Sequence, residues 1–302
     1  MAVAPSSHTK PTFVLVSGAW HGTGYWAKVV AGLESEGYRV VPVALRSASP
    51  DPDITFLDDL TAVRDVIRGE VTQGCDVVVV AHSFGTVVGA SAIKGFAASS
   101  KLRADNGQSG KTAITGDGTG VQNGHVIGFV AVGTGFMPTG VCFLQALGGK
   151  PPPLWRFSSE PLVTTDDYDV DDDGENTTKA FATIRVSARD ALYNDLPTEE
   201  GEQWVERLVP QSAGTIAQGD EHVYAGWLDV PSWSLITTED RAFPPEDQKA
   251  SSQAARDAGA NIWGEEIEAS HSPMLSRPVE TAEFLRRAAV AFGEKAAASQ
   301  RK

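Results

Sequence analysis

The chain has 302 residues, of which 41% are hydrophobic and 21% charged, and its formal net charge is −14. These values are typical of a globular protein and disfavour a disordered chain. No apolar run reaches the length of about 18 residues that a membrane-spanning helix needs. Nucleic acids and anionic membranes attract basic surfaces, so the acidic excess disfavours both as partners. The partner that we expect is a small-molecule substrate.

The cysteine content and the amino terminus bear on the compartment. Cys75 and Cys142 are the two cysteines, too few for a disulfide framework. Residues 1–11 lack the basic start and the apolar segment of a secretory signal. We therefore predict a cytoplasmic protein with reduced thiols and a short disordered lead-in over 1–11. The oligomeric state stays open, with a homodimer as one option.

Predicted strands and helices alternate along most of the chain. Short β-branched runs predict strands over 12–18, 38–45, 75–83, 125–136, 232–238 and 261–267. Apolar spacing and terminal signals predict helices over 24–36, 55–73, 84–98, 245–259 and 278–297. Pro42 indicates that the second strand lies at a sheet edge or contains a bulge. The alternation predicts an α/β fold with a mostly parallel, doubly wound sheet.

Two segments interrupt this alternation. Residues 101–124 are rich in glycine and polar side chains and predict a surface excursion. Residues 137–228 combine prolines, tryptophans and the acidic run DDYDVDDDGE with a predicted helix over 199–209. We interpret 137–228 as a helical cap inserted into a core formed by 12–136 and 229–297. The insertion follows a parallel strand, so it leaves the sheet at the edge where ligands bind and can act as a lid.

The segment VVVVAHSFGTVVG (77–89) runs from a strand that is apolar on both faces into a helix, with Ser83 at the bend. A sharp strand-to-helix turn exposes a serine hydroxyl as a nucleophile, and it leaves the amide of Phe84 free to bind an oxyanion. The alternative is that Ser83 only caps the helix. Ala81 stands where the usual G-x-S-x-G pattern has its first glycine, a position that needs only a small side chain.

Two further loops carry groups that a serine nucleophile requires. His271 follows the strand 261–267, while Glu239 and Asp240 follow the strand 232–238. A serine needs a base to remove its proton, and the base needs a carboxylate to fix its tautomer. His271 is therefore the candidate base at the carboxyl edge of the sheet, and either carboxylate can be its partner.

The loop Ser17-Gly18-Ala19-Trp20 ends the first strand at the same edge. A loop in this place can supply a second oxyanion donor, and the Ala19 N–H is the candidate. Losing one such donor typically costs about 10²–10³ in rate. The alternative is a glycine turn that only ends the strand.

Four stretches carry a resemblance to a known family: FVLVSGAWHGTGYW, VVVVAHSFG, LITTEDRAFPPEDQ and ASHSPMLSRP. They resemble the α/β-hydrolases, in the group that contains plant methylesterases and hydroxynitrile lyases. ARDALYNDLP and RLVPQS are similar to the bacterial and fungal branch of that group. The likeness covers roughly 12–295 and is weak in 99–124 and 137–180. It implies an α/β-hydrolase fold with an inserted helical cap.

The resemblance also implies roles for particular residues. The serine, the acid and the histidine follow one another along the chain in the order of this fold. The family uses the last carboxylate of the acidic pair, which favours Asp240 over Glu239. The implied roles are nucleophile for Ser83, acid for Asp240, base for His271, and oxyanion donors for Ala19 and Phe84.

This sequence departs from the family at several positions near the expected oxyanion site. Ser17 and Gly24 replace the first histidine and the tryptophan of the pattern H-G-A-x-H-G-x-W. Hydroxynitrile lyases of the group carry a threonine where Gly18 stands and a lysine where Ser272 stands. The resemblance therefore implies ester hydrolysis rather than cyanohydrin cleavage.

We expect a serine hydrolase that cleaves an ester, or a related acyl bond, of a small and largely apolar molecule without a cofactor. An apolar pocket is expected from Gly18, Trp20, Phe136, Trp155 and Trp227, although tryptophans of the insertion can equally be core residues. Two alternatives stay open. One is a lyase, cyclase or C–C-cleaving enzyme with the same triad, and the other is a binding protein of this fold.

Other motifs are weaker. NGQSGKT (106–112) approaches a phosphate-binding loop, but Asp105 stands at its first glycine and no strand precedes it. GDGTG (116–120) is an isolated glycine cluster. DVDDDGENTTKA (169–180) resembles a calcium loop, but Ala180 occupies the position of the bidentate glutamate. His21, His82 and His222 have no partners at metal-ligand spacing, so no metal site is predicted.

Overall fold

The computed structural model describes residues 10–98, 124–150, 155–158, 181–184 and 187–300. Several predictions concern residues outside these ranges. They concern residues 1–9 of the lead-in, residues 101–123 of the surface excursion, and the motifs NGQSGKT, GDGTG and DVDDDGENTTKA.

The strands of the described residues are β1 (Thr12–Val16), β2 (Val40–Val43), β3 (Val77–His82), β4 (Val126–Val132), β5 (Trp155–Ser158), β6 (Phe181–Ile184), β7 (Gln211–Ser212), β8 (Ser232–Thr237) and β9 (Ile262–Ile267). The helices are α1 (Ala27–Ser35), α2 (Phe56–Thr72), α3 (Gly85–Ala92), α4 (Phe143–Ala146), α5 (Ala188–Leu192), α6 (Thr198–Val205), α7 (Gly214–Ala217), α8 (Pro245–Asp257), α9 (Pro273–Ser276) and α10 (Pro278–Gln300). None of these helices is long and apolar enough to cross a membrane.

Six of the strands form one parallel sheet in the order β2-β1-β3-β4-β8-β9. This confirms the predicted parallel sheet. Pro42 of β2 pairs with Leu15 of β1. The strand β2 lies at the edge of the sheet, one of the two options that Pro42 indicated, and the missing N–H is tolerated there. The strand β3 lies between β1 and β4, so the bend at its carboxyl end is flanked by the loops that follow both neighbours.

Helices cover both faces of the sheet. A Cβ at Gly128 in β4 would lie 2.0 Å from the ring of Phe292 in α10, and a Cβ at Gly89 in α3 would lie 3.6 Å from the ring of Phe129 in β4. Neighbouring residues of a strand point to opposite faces, so α10 and α3 lie on opposite faces of the sheet. The helix α1 packs beside α10, and α2 packs beside α3. All six residues of β3 are buried in this doubly wound arrangement.

The segment between β4 and β8 contains α4, α5, α6 and α7, and α6 overlaps the range 199–209 that was predicted as a helix. It also contains an antiparallel sheet in the order β5-β6-β7, which the sequence analysis did not predict. Two of these strands have 4 residues and one has 2. Strands this short display too little of the two-residue alternation that reveals a strand in a sequence.

The bend after β3 depends on small residues on either side of it. Ala81 is fully buried, and a Cβ at Gly89 in α3 would lie 2.9 Å from the Ala81 Cβ. A Cβ at Gly85, the first residue of α3, would lie 2.2 Å from the carbonyl oxygen of Ser17. Glycine therefore allows α3 and the loop after β1 to approach each other closely.

A buried carboxyl group connects α2 to the segment between β4 and β8. Asp59 of α2 accepts hydrogen bonds from the N–H of Ser47 at 2.9 Å and from its hydroxyl at 2.5 Å. The same hydroxyl accepts a hydrogen bond of 2.8 Å from the side-chain amide of Gln211 in β7. Burial raises the pKa of Asp59 to about 6, although the hydrogen bonds from Ser47 act in the opposite direction.

The contact between Ala81 and Gly89 predicts how substitutions at position 81 affect stability. Ala81→Val adds two methyl groups where no space exists, and overpacking of this kind costs roughly 1–3 kcal/mol. Ala81→Gly only removes a methyl group, so a cost of about 1 kcal/mol or less is expected. Urea unfolding measures both values. Equal stability of the parent and Ala81→Val would contradict this account of the packing.

The raised pKa of Asp59 predicts a pH-dependent stability difference between the parent and Asp59→Asn. The folded value of about 6 lies above the reference value of 3.8, so the folded protein binds more protons between these two values. The free energy of unfolding of the parent therefore falls, relative to the variant, as pH rises through this window. The difference between a pKa of 3.8 and a pKa of about 6 corresponds to roughly 3 kcal/mol in the free energy of unfolding. Urea unfolding at several pH values tests this, and a constant difference from about pH 4 to about pH 7 would refute it.

Candidate active site

Ser83 follows β3 directly and has a φ of +52°. Trp20, with a φ of +63°, is the other non-glycine residue with positive φ in the described ranges. Such conformations cost on the order of 1–3 kcal/mol each, and they cluster at functional sites. The N–H of Ser83 donates to the carbonyl of Val132 at 3.1 Å, which fixes the bend against the end of β4.

Asp240 and His271 lie in direct contact. The His271 Nδ1 donates a hydrogen bond of 2.8 Å to the Asp240 Oδ2, and both residues are buried. Because a carboxylate oxygen accepts, the ring proton is on Nδ1, and Nε2 keeps its lone pair. Glu239 is exposed, so Asp240 rather than Glu239 is the carboxylate beside His271.

The carboxylate of Asp240 is held by four further hydrogen bonds. Its Oδ1 accepts from the N–H of Ala242 at 2.9 Å and from the N–H of Phe243 at 2.8 Å. Its Oδ2 also accepts from the hydroxyl of Thr237 at 2.7 Å and from the side-chain amide of Gln248 at 3.1 Å. With every partner in place, the carboxylate has one orientation, and that orientation faces the imidazole.

Ser83 is joined to the loop of His271 through its neighbour His82. The His82 Nε2 donates to the carbonyl of His271 at 2.8 Å, and the two rings are 4.7 Å apart. The His82 Nδ1 accepts from the hydroxyl of Tyr25 at 3.1 Å, and that hydroxyl accepts from the N–H of Gly18 at 2.9 Å. Among the described contacts, the Ser83 hydroxyl makes no hydrogen bond to His271. In unliganded sites such bonds are often long and tighten when substrate binds.

Burial keeps the side chains of Tyr25 and His82, which form this series of hydrogen bonds, neutral. It lowers the pKa of His82 well below the ordinary range, and the nearby His271 lowers it further. Burial also raises the pKa of the Tyr25 phenol. Each hydrogen bond therefore keeps one direction. The series of hydrogen bonds acts as a fixed support for the loop after β1, the bend and the His271 loop.

The candidate oxyanion donors lie on the two sides of Ser83. A Cβ at Gly18 would lie 3.2 Å from the Ser83 Cβ, so the loop with Ala19 packs directly on the bend. Within the described part of the chain, the N–H groups of Ala19 and Phe84 donate to no protein acceptor. The carbonyl of Ala19 accepts a hydrogen bond of 2.6 Å from the His21 Nδ1. Burial lowers the pKa of His21 to about 4, which keeps its ring neutral.

Residues between β4 and β8 hold every polar group of Trp20. The Trp20 N–H donates to the side-chain oxygen of Gln211 at 3.3 Å, and its carbonyl accepts from the N–H of Val209 at 2.9 Å. Its indole N–H donates to the carbonyl of Ala182 at 2.8 Å. These three contacts fix the residue with positive φ next to Ala19.

The aromatic residues expected in a pocket form two buried pairs. The rings of Trp20 and Trp155 meet edge to face at 6.1 Å beside the loop after β1, and those of Phe136 and Trp227 meet at 5.9 Å. The indole N–H of Trp227 donates to the carbonyl of Met137 at 2.9 Å. Contact of either pair with a substrate stays a prediction.

In the sequence, His21 and His82 stand out only as possible metal ligands, and Tyr25 does not stand out at all. The position of His82 directly before Ser83 was a usable signal, whereas nothing in the sequence connects Tyr25 to either residue. In the described ranges, no group of three or more His, Cys, Asp or Glu side chains is arranged to hold a metal ion.

Comparison with known proteins gives relatives that span nearly the whole chain. The alpha/beta hydrolase nvfD of Aspergillus novofumigatus is 27% identical over 281 residues, which are 93% of this chain and 97% of that protein. The structure of polyneuridine aldehyde esterase is similar with a TM-score of 0.64 at 21% identity, over 92% of this chain and 98% of that chain. Tomato methylketone synthase I in complex with 2-tridecanone is similar with a TM-score of 0.64 at 19% identity, over 94% and 99% of the two chains.

The resemblance drawn from the four sequence stretches is confirmed at the level of the family. Residues 13–284, which include the strands β2, β3, β4, β8 and β9 and nearly all of β1, match the Alpha/beta hydrolase family. The sheet order and the serine bend are those of the fold that the resemblance implied. The chain therefore belongs to the Alpha/beta hydrolase family.

Proposed function

We propose that this protein is a serine hydrolase that cleaves an ester, or a related acyl bond, of a small and largely apolar molecule. One observation carries the proposal. His271 is bonded to Asp240 at 2.8 Å through Nδ1, and its ring lies 4.7 Å from that of His82, the residue directly before Ser83, whose φ is +52°. A nucleophile, a base and a group that orients the base are the parts that acyl transfer requires.

In the first half of the proposed reaction, Ser83 attacks the carbonyl carbon of the ester. His271 Nε2 takes the hydroxyl proton, and Asp240 stabilises the imidazolium that forms. The N–H groups of Ala19 and Phe84 bind the oxyanion of the tetrahedral intermediate, and they are suited to this because neither donates to an acceptor among the described residues. His271 then gives its proton to the leaving alcohol, and an acyl-enzyme remains.

In the second half, water replaces the alcohol and the sequence runs in reverse. His271 Nε2 takes a proton from the water, whose oxygen attacks the acyl carbon, and the same two N–H groups bind the second oxyanion. Collapse of that intermediate breaks the bond to Ser83 Oγ, which receives the proton from His271. The products are an acid and the free enzyme, and no cofactor takes part.

The aromatic pair next to the loop after β1 supports an apolar substrate. Trp20 follows the candidate oxyanion donor Ala19 in the chain, and its ring meets that of Trp155 at 6.1 Å. A Cβ at Gly18 would lie 2.9 Å from the His82 Nδ1, so the threonine of the lyase group does not fit there without moving His82. This argues against cyanohydrin cleavage. The free thiols of Cys75 and Cys142 accord with the proposed cytoplasmic location.

A second candidate is a non-hydrolytic or C–C-cleaving reaction that uses the same triad. It is favoured by the fold shared with a methylketone synthase, whose name is not that of an ester hydrolase. Product analysis separates the two, because ester hydrolysis releases an acid and an alcohol in equal amounts, whereas C–C cleavage releases no alcohol.

Replacement of Ser83 tests the proposal directly. With a panel of p-nitrophenyl esters, we expect Ser83→Ala to lower kcat by at least about 10³-fold, because the nucleophile is lost while the oxyanion donors stay. Ser35→Ala, which changes an exposed serine of α1, is the matched control and should keep full activity. Turnover by Ser83→Ala at the parent rate would rule out the mechanism.

The hydroxyl of Tyr25 gives a second test. Tyr25→Phe leaves the N–H of Gly18 and the ring nitrogen of His82 without their partner, which should lower stability by roughly 1–3 kcal/mol. We also expect kcat to fall several-fold, since His82 supports the carbonyl of His271. Urea unfolding and ester kinetics measure the two effects. Tyr38→Phe, at a buried ring that packs on Phe13, serves as the control, and identical behaviour of both variants would contradict the role of Tyr25.

A further inference from the structure

A turn in the insertion contacts the three loops that carry most of the candidate catalytic groups. The helix α5 ends at Leu192, and the next four residues form a turn closed by a hydrogen bond of 3.0 Å from the N–H of Leu196 to the carbonyl of Tyr193. Asn194 and Asp195 occupy the central positions, for which their short polar side chains are well suited. The turn presents three consecutive side chains to different neighbours.

Each of these side chains bonds to a different loop. The Tyr193 hydroxyl donates to the His21 Nε2 at 2.7 Å. The side-chain amide of Asn194 donates to the carbonyl of Glu239 at 3.2 Å. The Oδ2 of Asp195 accepts from the N–H of Ser270 at 2.9 Å.

The bonded groups are direct neighbours of the candidate catalytic groups. Glu239 precedes Asp240 in the chain, and Ser270 precedes His271. We propose that Tyr193, Asn194 and Asp195 are positioning residues that hold three loops in the arrangement needed for catalysis. These are the loop that follows β1 (the oxyanion loop), the loop that follows β8 (the acid loop) and the loop that follows β9 (the base loop). This proposal rests on the proposed hydrolase function and adds to it the part played by the insertion.

The contact between Tyr193 and His21 has a fixed direction. His21 Nδ1 faces the carbonyl of Ala19 at 2.6 Å, and a carbonyl only accepts, so Nδ1 carries the proton of the neutral ring. Nε2 must then accept, and the Tyr193 hydroxyl supplies the donor. Without that hydroxyl, the imidazole can rotate or change tautomer and release the Ala19 carbonyl. Release of the carbonyl leaves the Ala19–Trp20 peptide group held by the bond from the Trp20 N–H to Gln211 at 3.3 Å, and this loosens the direction of the Ala19 N–H.

The base loop has two attachments to this turn. Besides the bond from its N–H to Asp195, Ser270 donates its hydroxyl to the carbonyl of Leu192 at 3.3 Å. Among the contacts of the described residues, the acid loop is bonded to this turn through Asn194 alone. Loss of the Asp195 contact should therefore loosen the base loop without detaching it.

Near-isosteric substitutions remove one contact at a time. Tyr193→Phe removes the hydroxyl donor, and Asn194→Asp replaces the amide donor with a group that only accepts. Asp195→Leu removes the acceptor, while Asp195→Asn keeps one oxygen that can still accept from Ser270. Asp190→Leu changes an exposed residue of α5 that pairs with Arg189 and serves as the control.

The variants are compared by p-nitrophenyl ester kinetics, melting temperature and hydrogen exchange followed by mass spectrometry. We expect kcat to fall about tenfold in Tyr193→Phe, Asn194→Asp and Asp195→Leu, with KM changed less than about twofold, since a hydrogen bond of this type is worth about one such factor. Asp195→Asn should recover most of the activity, and Asp190→Leu should behave as the parent. Exchange should rise in the loop that has lost its contact.

Several results would overturn the proposal. One is parent-like kcat in all three variants, and another is an equal loss in Asp195→Asn and Asp195→Leu. A third is a loss of kcat that tracks the melting temperature and comes without local exchange, which would make the turn merely structural. If the parent hydrolyses no ester and reacts with no fluorophosphonate, the proposed function fails, and hydrogen exchange alone decides on the positioning. Raised exchange confined to the contacted loops would then support it, and unchanged exchange would refute it.

Discussion

The left-handed backbone of Ser83 is the constraint on which the site depends. A serine does not adopt a φ of +52° without help, and here the neighbouring packing enforces it. Gly85 allows the carbonyl of Ser17 to approach α3, and Ala81 packs so closely on Gly89 that a Cβ at Gly89 would lie 2.9 Å from the Cβ of Ala81. Because β3 is buried between two strands and two layers of helices, the bend cannot relax, and it presents Ser83 at the carboxyl edge of the sheet.

A parallel sheet brings strand ends to one edge, but it does not orient the side chains found there. Buried polar contacts do so in this protein. The five hydrogen bonds to the Asp240 carboxylate leave it a single orientation, and the chain from Tyr25 through His82 holds the carbonyl of His271. An unpartnered polar group in such surroundings is costly, so a change in one contact disturbs its neighbours as well. Burial that keeps His21 and His82 neutral makes these contacts directional.

Much of the fold could be predicted because its signals are local. Apolar runs and terminal glycines predicted the parallel sheet, and the serine after a buried strand predicted the bend. Pro42 predicted an edge position or a bulge for its strand, and the strand lies at the edge. The sheet β5-β6-β7 was missed because its strands are too short to show a period. The contacts of Tyr25 with His82, 57 positions apart, and of Tyr193 with His21, 172 apart, join residues whose proximity exists only in the folded chain. The roles of Ser83, Asp240, His271, Ala19 and Phe84 stay predictions.

The central claim is that Ser83 is a nucleophile activated by His271. The most direct measurement is reaction of the intact protein with a fluorophosphonate, followed by mass spectrometry of the whole chain and of its peptides. The account predicts one adduct, on the peptide that contains Ser83, at a rate that falls by at least about 10³-fold in His271→Ala. An adduct on another residue, or labelling at the same rate in His271→Ala, would contradict it.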